Sequence, residues 1–371
     1  MNRRPIRVSL MIDNLSRAGT ETQLLALIRS LDRTRIEPSL VLLDGESDES
    51  RTLEPPDCQI FRLGVKKLFA RNTFRAGQQL RRHWNETKPD IAQFYFLDSA
   101  YFGVPVAKLA AVPKIVRVRN NLSYWLTRKH RILNRLIRPF VDATLTNSEA
   151  GRDALIQQDG LSPKRITVIE NGVDLERFPN HGHRPFSEPS IRVGCVANLR
   201  PVKNIDGLLH VAAALFPLFP NLQFEVAGEG EQRPELEKLH AELGLGDRFR
   251  FLGSVDDIPK FLGSLDLAVL PSHSEGMSNA LLEFMAAGRP IVATDVGASS
   301  KLIHSGACGI LAPSSQPGDI SAACQKLLLN PALARQLGDA ARERAAKEYG
   351  RKAMQLRFEE FYQRLVGIPV G

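Results

Sequence analysis

The chain has 371 residues, of which 43% are hydrophobic and 24% are charged. This composition is typical of a folded protein with two or three domains, and it excludes a disordered, collagen-like or disulfide-rich chain. The 49 basic and 41 acidic residues give a formal net charge of +8. No apolar run reaches the roughly 18 residues that a membrane-spanning helix needs, and the apolar run near the N-terminus is too short for a signal peptide.

Short apolar runs alternate with helical patterns along the first half of the chain, which is typical of a parallel α/β sheet. The predicted strands are 6–12, 39–43, 60–63, 91–94, 115–118, 144–146 and 167–169. The predicted helices include 21–31, 73–87, 100–110 and 148–158. A polar, Pro-containing stretch without periodicity follows at 176–192 and predicts an interdomain linker.

The second half repeats the alternation of strands and helices. Its predicted strands are 192–197, 222–227, 249–252, 267–270 and 291–293. Its predicted helices are 205–216, 234–243, 278–287, 317–329, 331–347 and 352–365. We therefore predict an α/β protein with two Rossmann-like, doubly wound domains that face each other across a cleft. Ligands are expected at the carboxyl ends of the strands.

Cysteine usage and charge distribution add two expectations about environment. The four cysteines form no Cys-x-x-Cys pair, which argues against structural zinc and favours a reducing, cytoplasmic compartment. Between residues 62 and 138 there are 17 Lys and Arg residues but only three acids. A basic half-molecule of this kind predicts an anionic partner surface.

The segment from Leu270 to Glu283 is the most informative for chemistry. An apolar strand ends in a Pro-Ser turn, and a helix is predicted to open near Ser278. Backbone amides at a helix N-terminus bind phosphate through hydrogen bonds and the helix dipole. Glu275 precedes the helix and Glu283 lies in its second turn, so the pattern suits a sugar nucleotide. The alternative is a surface loop in which Ser278 caps the helix and both acids are solvated.

Weaker signals follow the neighbouring strands. Gly228 and Gly230 after the strand at 222–227 allow close approach to the backbone, although a plain tight turn is the commoner explanation. Arg200 and Lys203 follow the strand at 192–197 and offer cations for a leaving diphosphate, or form a solvated loop. In the first half, the segment 17–21 opens a helix directly after the first strand.

Taken in order, these motifs resemble the retaining glycosyltransferases of family four, which have the GT-B fold. That family's two glutamates, separated by seven residues, match Glu275 and Glu283 within SEGMSNALLEFMAAGRPIVATDVG. The segments VANLRPVKNIDGLL, FEVAGEGEQRPELE, RAGTETQLLALIRSL, TNSEAGRDAL and IENGVDLERF extend the resemblance over nearly the whole chain. The implied domains are an acceptor-side domain at 1–178, a linker at 179–191, a nucleotide-sugar domain at 192–350 and a C-terminal helix at 351–371 that packs back on the first domain.

The resemblance also implies roles for individual residues. The implied catalytic residues are Glu275, Lys203, Arg200 and Arg119. The implied donor-binding residues are Gly19, Gly228, Gly253, Ser254, Val255, Gly276, Met277, Ser278, Asn279 and Glu283. Within this set, Glu275 would bind donor-sugar hydroxyls, Glu283 the ribose hydroxyls and Lys203 the departing diphosphate.

Two departures from the family pattern affect the assignment of arginines. Asn198 stands where the family usually has an arginine, so Arg200 is expected to act from a shifted position. Arg119 occupies the segment where a histidine is common in the family, and it would contact an acceptor or a phosphate. No Asp-x-Asp motif occurs, so we expect cationic side chains and a helix dipole in place of a metal, and no cofactor.

The predicted reaction is transfer of a sugar, with retention, from a UDP- or GDP-sugar to a glycan or lipid-linked glycan in polysaccharide or glycolipid biosynthesis. The alternatives are a sugar-nucleotide epimerase of the same fold and a non-catalytic module that binds sugar nucleotides or an anionic surface. A nicotinamide dehydrogenase is poorly supported because no Gly-x-Gly-x-x-Gly follows the first strand.

The basic region 62–138 also contains large apolar residues, which favours peripheral attachment to an anionic inner membrane surface. These residues are Leu68, Phe69, Phe74, Trp84, Tyr124, Trp125 and Leu126. The alternative is a solvated basic face with its tryptophans in the core. Nucleic acid is not expected as a partner because no recognition fold or aromatic platform is present.

Overall fold

The computed structural model describes residues 4–44, 47–68, 72–120, 126–179, 182, 186 and 190–369. The chain divides into two compact units. The first comprises Met1–Asn171 together with Arg351–Gly371, and the second comprises Gly172–Gly350.

The first unit is a parallel sheet with helices from the intervening segments. Its strands are β1 (Ile6–Ile12), β2 (Ile36–Leu42), β3 (Gln59–Arg62), β4 (Ile91–Tyr95), β5 (Lys114–Val118), β6 (Ala143–Thr146) and β7 (Ile166–Val168). Its helices are α1 (Gly19–Ser30), α2 (Asp48–Leu53), α3 (Thr73–Thr87), α4 (Leu97–Leu109), α5 (Arg128–Ile137), α6 (Glu149–Asp159) and, at the end of the chain, α14 (Arg351–Leu365). The strand order is β3-β2-β1-β4-β5-β6-β7, and every pairing is parallel.

The second unit repeats this architecture. Its strands are β8 (Ile191–Val196), β9 (Leu222–Ala227), β10 (Phe249–Gly253), β11 (Leu267–Leu270), β12 (Ile291–Thr294) and β13 (Ile310–Ala312). Its helices are α7 (Ile205–Leu215), α8 (Arg233–Glu242), α9 (Ile258–Gly263), α10 (Asn279–Ala286), α11 (Ser299–Ile303), α12 (Pro317–Leu328) and α13 (Pro331–Glu348). The strand order is β10-β9-β8-β11-β12-β13, again fully parallel.

Both sheets are buried on their two faces, as apolar parallel strands require. In β11 all four residues are buried, and β4 is buried along its whole length. Small residues allow helices to approach the sheet: a Cβ added to Gly103 of α4 would lie 2.2 Å from the Phe94 ring. The predicted α/β class with two doubly wound domains is confirmed.

Each sheet contains one point at which the strand order reverses. In the first unit this point lies between β1 and β4, and in the second it lies between β8 and β11. At such a point the loops that follow the two strands diverge to opposite sides of the sheet. The crevice between them is where open α/β sheets bind ligands.

The boundary between the units differs from the predicted one at residue 178. Residues 172–178 belong to the second unit. Val173 donates its backbone N–H to the carbonyl of Tyr349, and both Val173 and Phe178 are buried in the second core. The predicted linker at 179–191 falls mostly outside the described residues.

Helix α14 contacts the first unit although it follows the second in sequence. Met354, Phe361 and Tyr362 are buried in the core that contains β1 and α1. The buried Glu359 carboxylate accepts hydrogen bonds from the Asp32 amide and from Arg35. Apolar packing and an ion pair between the buried Glu359 and the partly exposed Arg35 thus hold this helix in place.

Several short elements lie outside the predicted pattern. Strand β13 has only three residues, and α2, α9 and α11 have five or six, which is too short for a clear periodicity. Helix α5 is longer, but four of its ten residues are Arg or Lys and it buries only Asn134 and Ile137. In the structure it begins with a Thr127 capping box, in which His130 at the third helical position stands where Glu or Gln is usual.

Candidate sugar-nucleotide site

Five loops meet at the carboxyl edge of the second sheet, and they carry nearly all the site residues predicted for this half. They follow β8, β9, β10, β11 and β12, which are neighbours in the sheet. The loop after β8 carries Lys203, and the loop after β11 carries Glu275. The reversal of strand order between β8 and β11 therefore lies between these two side chains.

Lys203 and Glu275 form an ion pair across this point. Lys203 Nζ lies 2.7 Å from Glu275 Oε1, and the Ser272 hydroxyl donates to the same oxygen at 2.7 Å. The Glu275 side chain is only 9% exposed. A carboxylate this deeply buried is stable when it is paired and hydrogen-bonded. The alternative in which Glu275 is solvated is therefore wrong.

The loops that present this pair are joined by further hydrogen bonds. Asn204 is buried in a left-handed conformation, and its amide donates to the carbonyls of Pro271 and Ser315, each at 2.9 Å. Thr294, at the end of β12, donates to the Ser272 carbonyl at 2.6 Å. Sequence reasoning missed Ser272, Asn204 and Thr294. The Pro-Ser turn after β11 was the available signal.

Helix α10 begins beside this pair with the cap that the sequence predicts. The Ser278 hydroxyl accepts a hydrogen bond from the Leu281 amide at 3.4 Å. Among the described residues, the backbone amides of Gly276 and Ser278 have no acceptor. Donors of this kind at a helix N-terminus are suited to a phosphate oxygen. The Met277 side chain is buried in the core, so only its backbone is available here.

Glu283 lies in the second turn of α10, one turn after Asn279 on the same face. Its carboxylate has no hydrogen-bond partner within the described part of the chain. Burial raises the pKa of Glu283 to about 7, and Arg177 opposes this shift. A partly desolvated carboxylate without a partner can accept hydrogen bonds from ligand hydroxyls, which cost less to desolvate than a charged group.

The glycines of the site bring backbones together. A Cβ on Gly228 would lie 2.0 Å from the Ala197 carbonyl, and one on Gly297 would lie 1.8 Å from the Glu275 carbonyl. Both have positive φ, and Gly253, which accepts the Gly228 amide at 2.8 Å, does too. Gly228 and Gly297 therefore fix the loops that carry Lys203 and Glu275. This is a more specific reason for glycine than the tight turn that the sequence suggests.

The remaining predicted residues of this half are less constrained. Arg200 is exposed and makes no side-chain hydrogen bond or ion pair with any described residue. Ser254 is exposed and Val255 is partly buried, in the loop after β10. These three residues lie in loops at the carboxyl edge of the second sheet, but their side chains take no part in the hydrogen bonds described above.

The first unit has its own cavity at the equivalent edge, with a volume of about 400 Å³. Its lining includes Asp13 after β1, Asp98 after β4, and Arg119 after β5. Of the residues predicted in this half, Arg119 lines the cavity and is only 5% exposed, while Gly19 is exposed at the start of α1. Thr20, its neighbour, lines the cavity.

Asp13 is a site residue that sequence reasoning did not select. It accepts a hydrogen bond from the Ser99 amide at 2.8 Å and another from the Ser99 hydroxyl, across the reversal between β1 and β4. Burial raises the pKa of Asp13 to about 6, against these two hydrogen bonds. The two units thus have a common feature: a largely buried carboxylate, Asp13 in the first and Glu275 in the second, is bonded to a residue on the other side of the strand reversal.

Over the described residues, no group of three or more His, Cys, Asp or Glu side chains is placed to hold a metal ion. The expectation that the reaction needs no metal and no cofactor stays a prediction.

Comparison with known proteins identifies both halves. Residues 178–344 match the family model for glycosyl transferases group 1, and residues 17–177 match that for glycosyltransferase family 4. A D-inositol 3-phosphate glycosyltransferase of Streptomyces bingchenggensis is 31% identical over 224 residues, which are 56% of this chain and 49% of that protein. The chain thus matches about half the length of that relative.

Two further similarities cover more of the chain. A glycogen synthase of Mycobacterium tuberculosis is 28% identical over 290 residues, 77% of this chain and 68% of that protein. The crystal structure of Anabaena HepE in complex with UDP and glucose superposes with a TM-score of 0.84 at 19% identity, covering 97% of this chain and all of the other. Adjacent family models that together span residues 17–344, and a shared fold, lead to one conclusion: the chain belongs to the group 1, family 4 glycosyltransferases of the GT-B class.

Proposed function

We propose that this protein is a retaining glycosyltransferase that transfers a sugar from a nucleoside-diphosphate donor to a glycan or lipid-linked acceptor. The observation that carries the proposal is the Lys203–Glu275 pair, which lies across the strand reversal of the second sheet beside the N-terminus of α10. A cation, amide donors and two carboxylates are the groups that a sugar nucleotide needs.

Each group has a role in the proposed donor complex. The amides of Gly276 and Ser278 receive the diphosphate, and Glu283 accepts hydrogen bonds from the ribose hydroxyls. Glu275 accepts hydrogen bonds from the donor sugar. Lys203 uses one of its three N–H bonds on Glu275, which leaves donors for the diphosphate.

The proposed chemistry is a substitution on one face of the sugar. The bond from the anomeric carbon to the diphosphate oxygen breaks while the acceptor oxygen forms its bond on the same face. The departing oxygen takes the acceptor proton, and Lys203 and the α10 amides stabilise the negative charge on the diphosphate. No enzyme nucleophile takes part in this scheme.

The donor is tested by thermal shift with UDP, GDP, ADP and their sugars. We favour UDP because the similar Anabaena structure contains it. Glu283→Ala should remove most of the stabilisation by the preferred nucleotide. Glu275→Ala should reduce turnover far more than nucleotide binding. An unchanged shift in Glu283→Ala would disprove the ribose role, and proton NMR of the product's anomeric centre would test retention.

The acceptor is proposed to enter the cavity of the first unit. Asp13, Asp98 and Arg119 line it together with Tyr95 and His130, so polar groups surround a space large enough for a sugar ring. Asp13→Asn is expected to reduce turnover at saturating donor without changing nucleotide stabilisation. A parallel loss of both would contradict this assignment.

A peripheral membrane contact is also proposed for this unit. On α5 and the turn after it, Ile132, Leu136 and Phe140 are 57%, 62% and 42% exposed. The same helix presents exposed cations, and Phe74 on α3 is 77% exposed. Trp84, by contrast, is buried and donates its indole N–H to Ser9 at 3.0 Å, so the core alternative holds for it. Phe69, Tyr124 and Trp125 lie outside the described residues.

No described helix is both long and apolar enough to cross a bilayer. The membrane contact is therefore tested by sedimentation with anionic and neutral vesicles at low and high salt. Ile132→Gln/Leu136→Gln should weaken binding to anionic vesicles, whereas Leu218→Gln/Leu329→Gln, at comparably exposed positions of the second unit, should not. Absence of binding at low salt would remove this part of the proposal.

A further inference from the structure

A second cavity of the first unit has a strongly cationic lining. It has a volume of about 340 Å³ and lies between α5, the strands β5 and β6, and the end of α6. We refer to it as the arginine pocket. The six arginines that line it are Arg117, Arg119, Arg131, Arg135, Arg138 and Arg165. Among the described residues that line it, Asp159 is the only carboxylate.

Internal partners account for only part of this charge. Arg119 forms an ion pair with Asp159 at 2.9 Å, and Arg138 donates to the carbonyls of Asp159 and Gly160. Arg131, Arg135 and Arg165 are exposed and pair with none of the described side chains.

Arg117 at the base of the pocket is the decisive residue. It is 6% exposed, and its Nε has no hydrogen-bond acceptor. One terminal nitrogen donates to Asn134 Oδ1 at 3.1 Å, while Asn134 Nδ2 is itself buried without a partner. Burial and the nearby Arg119 lower the pKa of Arg117 to about 10.

Asp159, the nearby carboxylate, is paired with Arg119, and among the described residues no carboxylate is hydrogen-bonded to Arg117. A buried guanidinium in this state is costly, and the cost is relieved when an anion supplies both charge and acceptors. Guanidinium groups bind phosphate oxygens in a two-pronged geometry, and several of them converge here. We infer that the arginine pocket is a binding site for a phosphate or diphosphate group. The inference goes beyond the proposed donor site, which lies in the other unit and uses different residues.

The surroundings of the pocket favour an amphiphile as the source of that group. Arg131 and Arg135 on α5 line the pocket, and the exposed Ile132 and Leu136 form the adjacent stripe of the same helix. A ligand whose diphosphate enters the pocket therefore meets apolar side chains at its rim. A soluble diphosphate would use the pocket alone.

The test is calorimetric titration of the full-length protein with inorganic pyrophosphate at constant ionic strength. Arg131→Gln/Arg135→Gln should weaken binding at least tenfold. The control Arg128→Gln/Lys129→Gln removes the same charge from the same helix outside the pocket, and should change affinity less than twofold. All four side chains are exposed, so neither double variant should unfold the protein.

A further variant separates this site from the proposed donor site. Lys203→Gln should leave the pyrophosphate affinity of the arginine pocket unchanged. If Lys203→Gln abolishes binding while Arg131→Gln/Arg135→Gln does not, the inference is wrong and the donor site stands. No binding to the native protein, or equal losses in the two α5 doubles, would also overturn the inference.

The source of the phosphate is distinguished by a second titration, with farnesyl diphosphate below its aggregation concentration. Tighter binding than pyrophosphate, lost in Ile132→Gln/Leu136→Gln, would identify an amphiphile. Equal affinity for the two probes would identify a soluble phosphate compound. Either result supports the anion site itself.

Discussion

The Nζ of Lys203 lies 2.7 Å from Oε1 of Glu275, although 72 residues separate the two in sequence. Because one residue follows β8 and the other follows β11, the bond closes the gap at which the strand order reverses. It couples the two loops mechanically and holds a carboxylate that would otherwise be buried without a counter-charge.

Loss of the lysine should therefore destabilise the second unit. Lys203→Met is expected to lower the free energy of unfolding by about 2 kcal/mol, since it leaves Glu275 buried and ionised. Adding Glu275→Gln should recover part of that loss, which urea denaturation of the single and double variants would measure. As a control, Lys238→Met removes a more exposed pair with Glu242 and should cost about 0.5 kcal/mol or less. Additive effects of the two substitutions at the site would contradict the coupling.

Glu283 should make stability depend on pH. Its folded pKa of about 7 lies above the ordinary value of 4.5, so the folded state keeps its proton longer than the unfolded chain does. Stability should then fall as pH rises from about 4.5 to 7, by about 3 kcal/mol from this group.

Glu283→Gln should remove that part of the decline, which denaturation at several pH values would measure. Asp13, whose folded pKa is about 6, should still lower stability as pH rises in the Glu283→Gln variant. That remaining decline should level off about one pH unit below the decline caused by Glu283. The exposed Glu242→Gln in α8 is the control and should keep the native profile. A Glu283→Gln variant with the native pH profile would show that this carboxyl is not desolvated.

The sequence predicts the elements and the positions of the key residues but not their partners. Strand 267–270 is predicted without error because four apolar residues between turn formers permit only a short buried strand. The glutamates are found by their motif. The Lys203–Glu275 bond and the support from Asn204 depend on loops distant in sequence, and no local pattern encodes those distances.

The arginine pocket is a second feature that the sequence alone does not predict. Arg117 lies within an apolar run and is correctly predicted to be in a strand, yet its burial depends on α5, which packs beside it. The sequence predicts no helix at that position because cations obscure its apolar spacing. Without α5, the arginines between 117 and 138 form only a basic region, and no cavity can be predicted.

Gly297 should be needed for activity more than its place in a partly exposed loop suggests. A side chain at this position has to adopt φ of +58° and meets the Glu275 carbonyl at 1.8 Å. Gly297→Ala should displace the Glu275 loop and reduce turnover at least tenfold, because small misplacements of positioning groups are costly. Gly306 also has a positive φ, +82°, but a Cβ added there would have no atom within 4 Å. Gly306→Ala therefore measures the cost of backbone strain alone, about 1 kcal/mol. Steady-state kinetics should separate the two, and equal effects would refute the positioning role.

Two buried arginines should respond in opposite directions to the same substitution. Arg289 is 1% exposed and donates from Nε, Nη1 and Nη2 to the carbonyls of Ala287, Leu265 and Gly182. Arg289→Met should lower the free energy of unfolding by about 3 kcal/mol because it leaves these acceptors unsatisfied.

Arg117, in contrast, has an unsatisfied Nε and a pKa lowered by burial, so the folded state bears the cost of its charge. Arg117→Met, measured by urea denaturation without phosphate, should leave stability unchanged or raise it by about 1 kcal/mol, since a methionine of similar length fills the space without a charge. A loss as large as that of Arg289→Met would mean that Arg117 supports the fold, and that its unsatisfied nitrogen is not held ready for an anion.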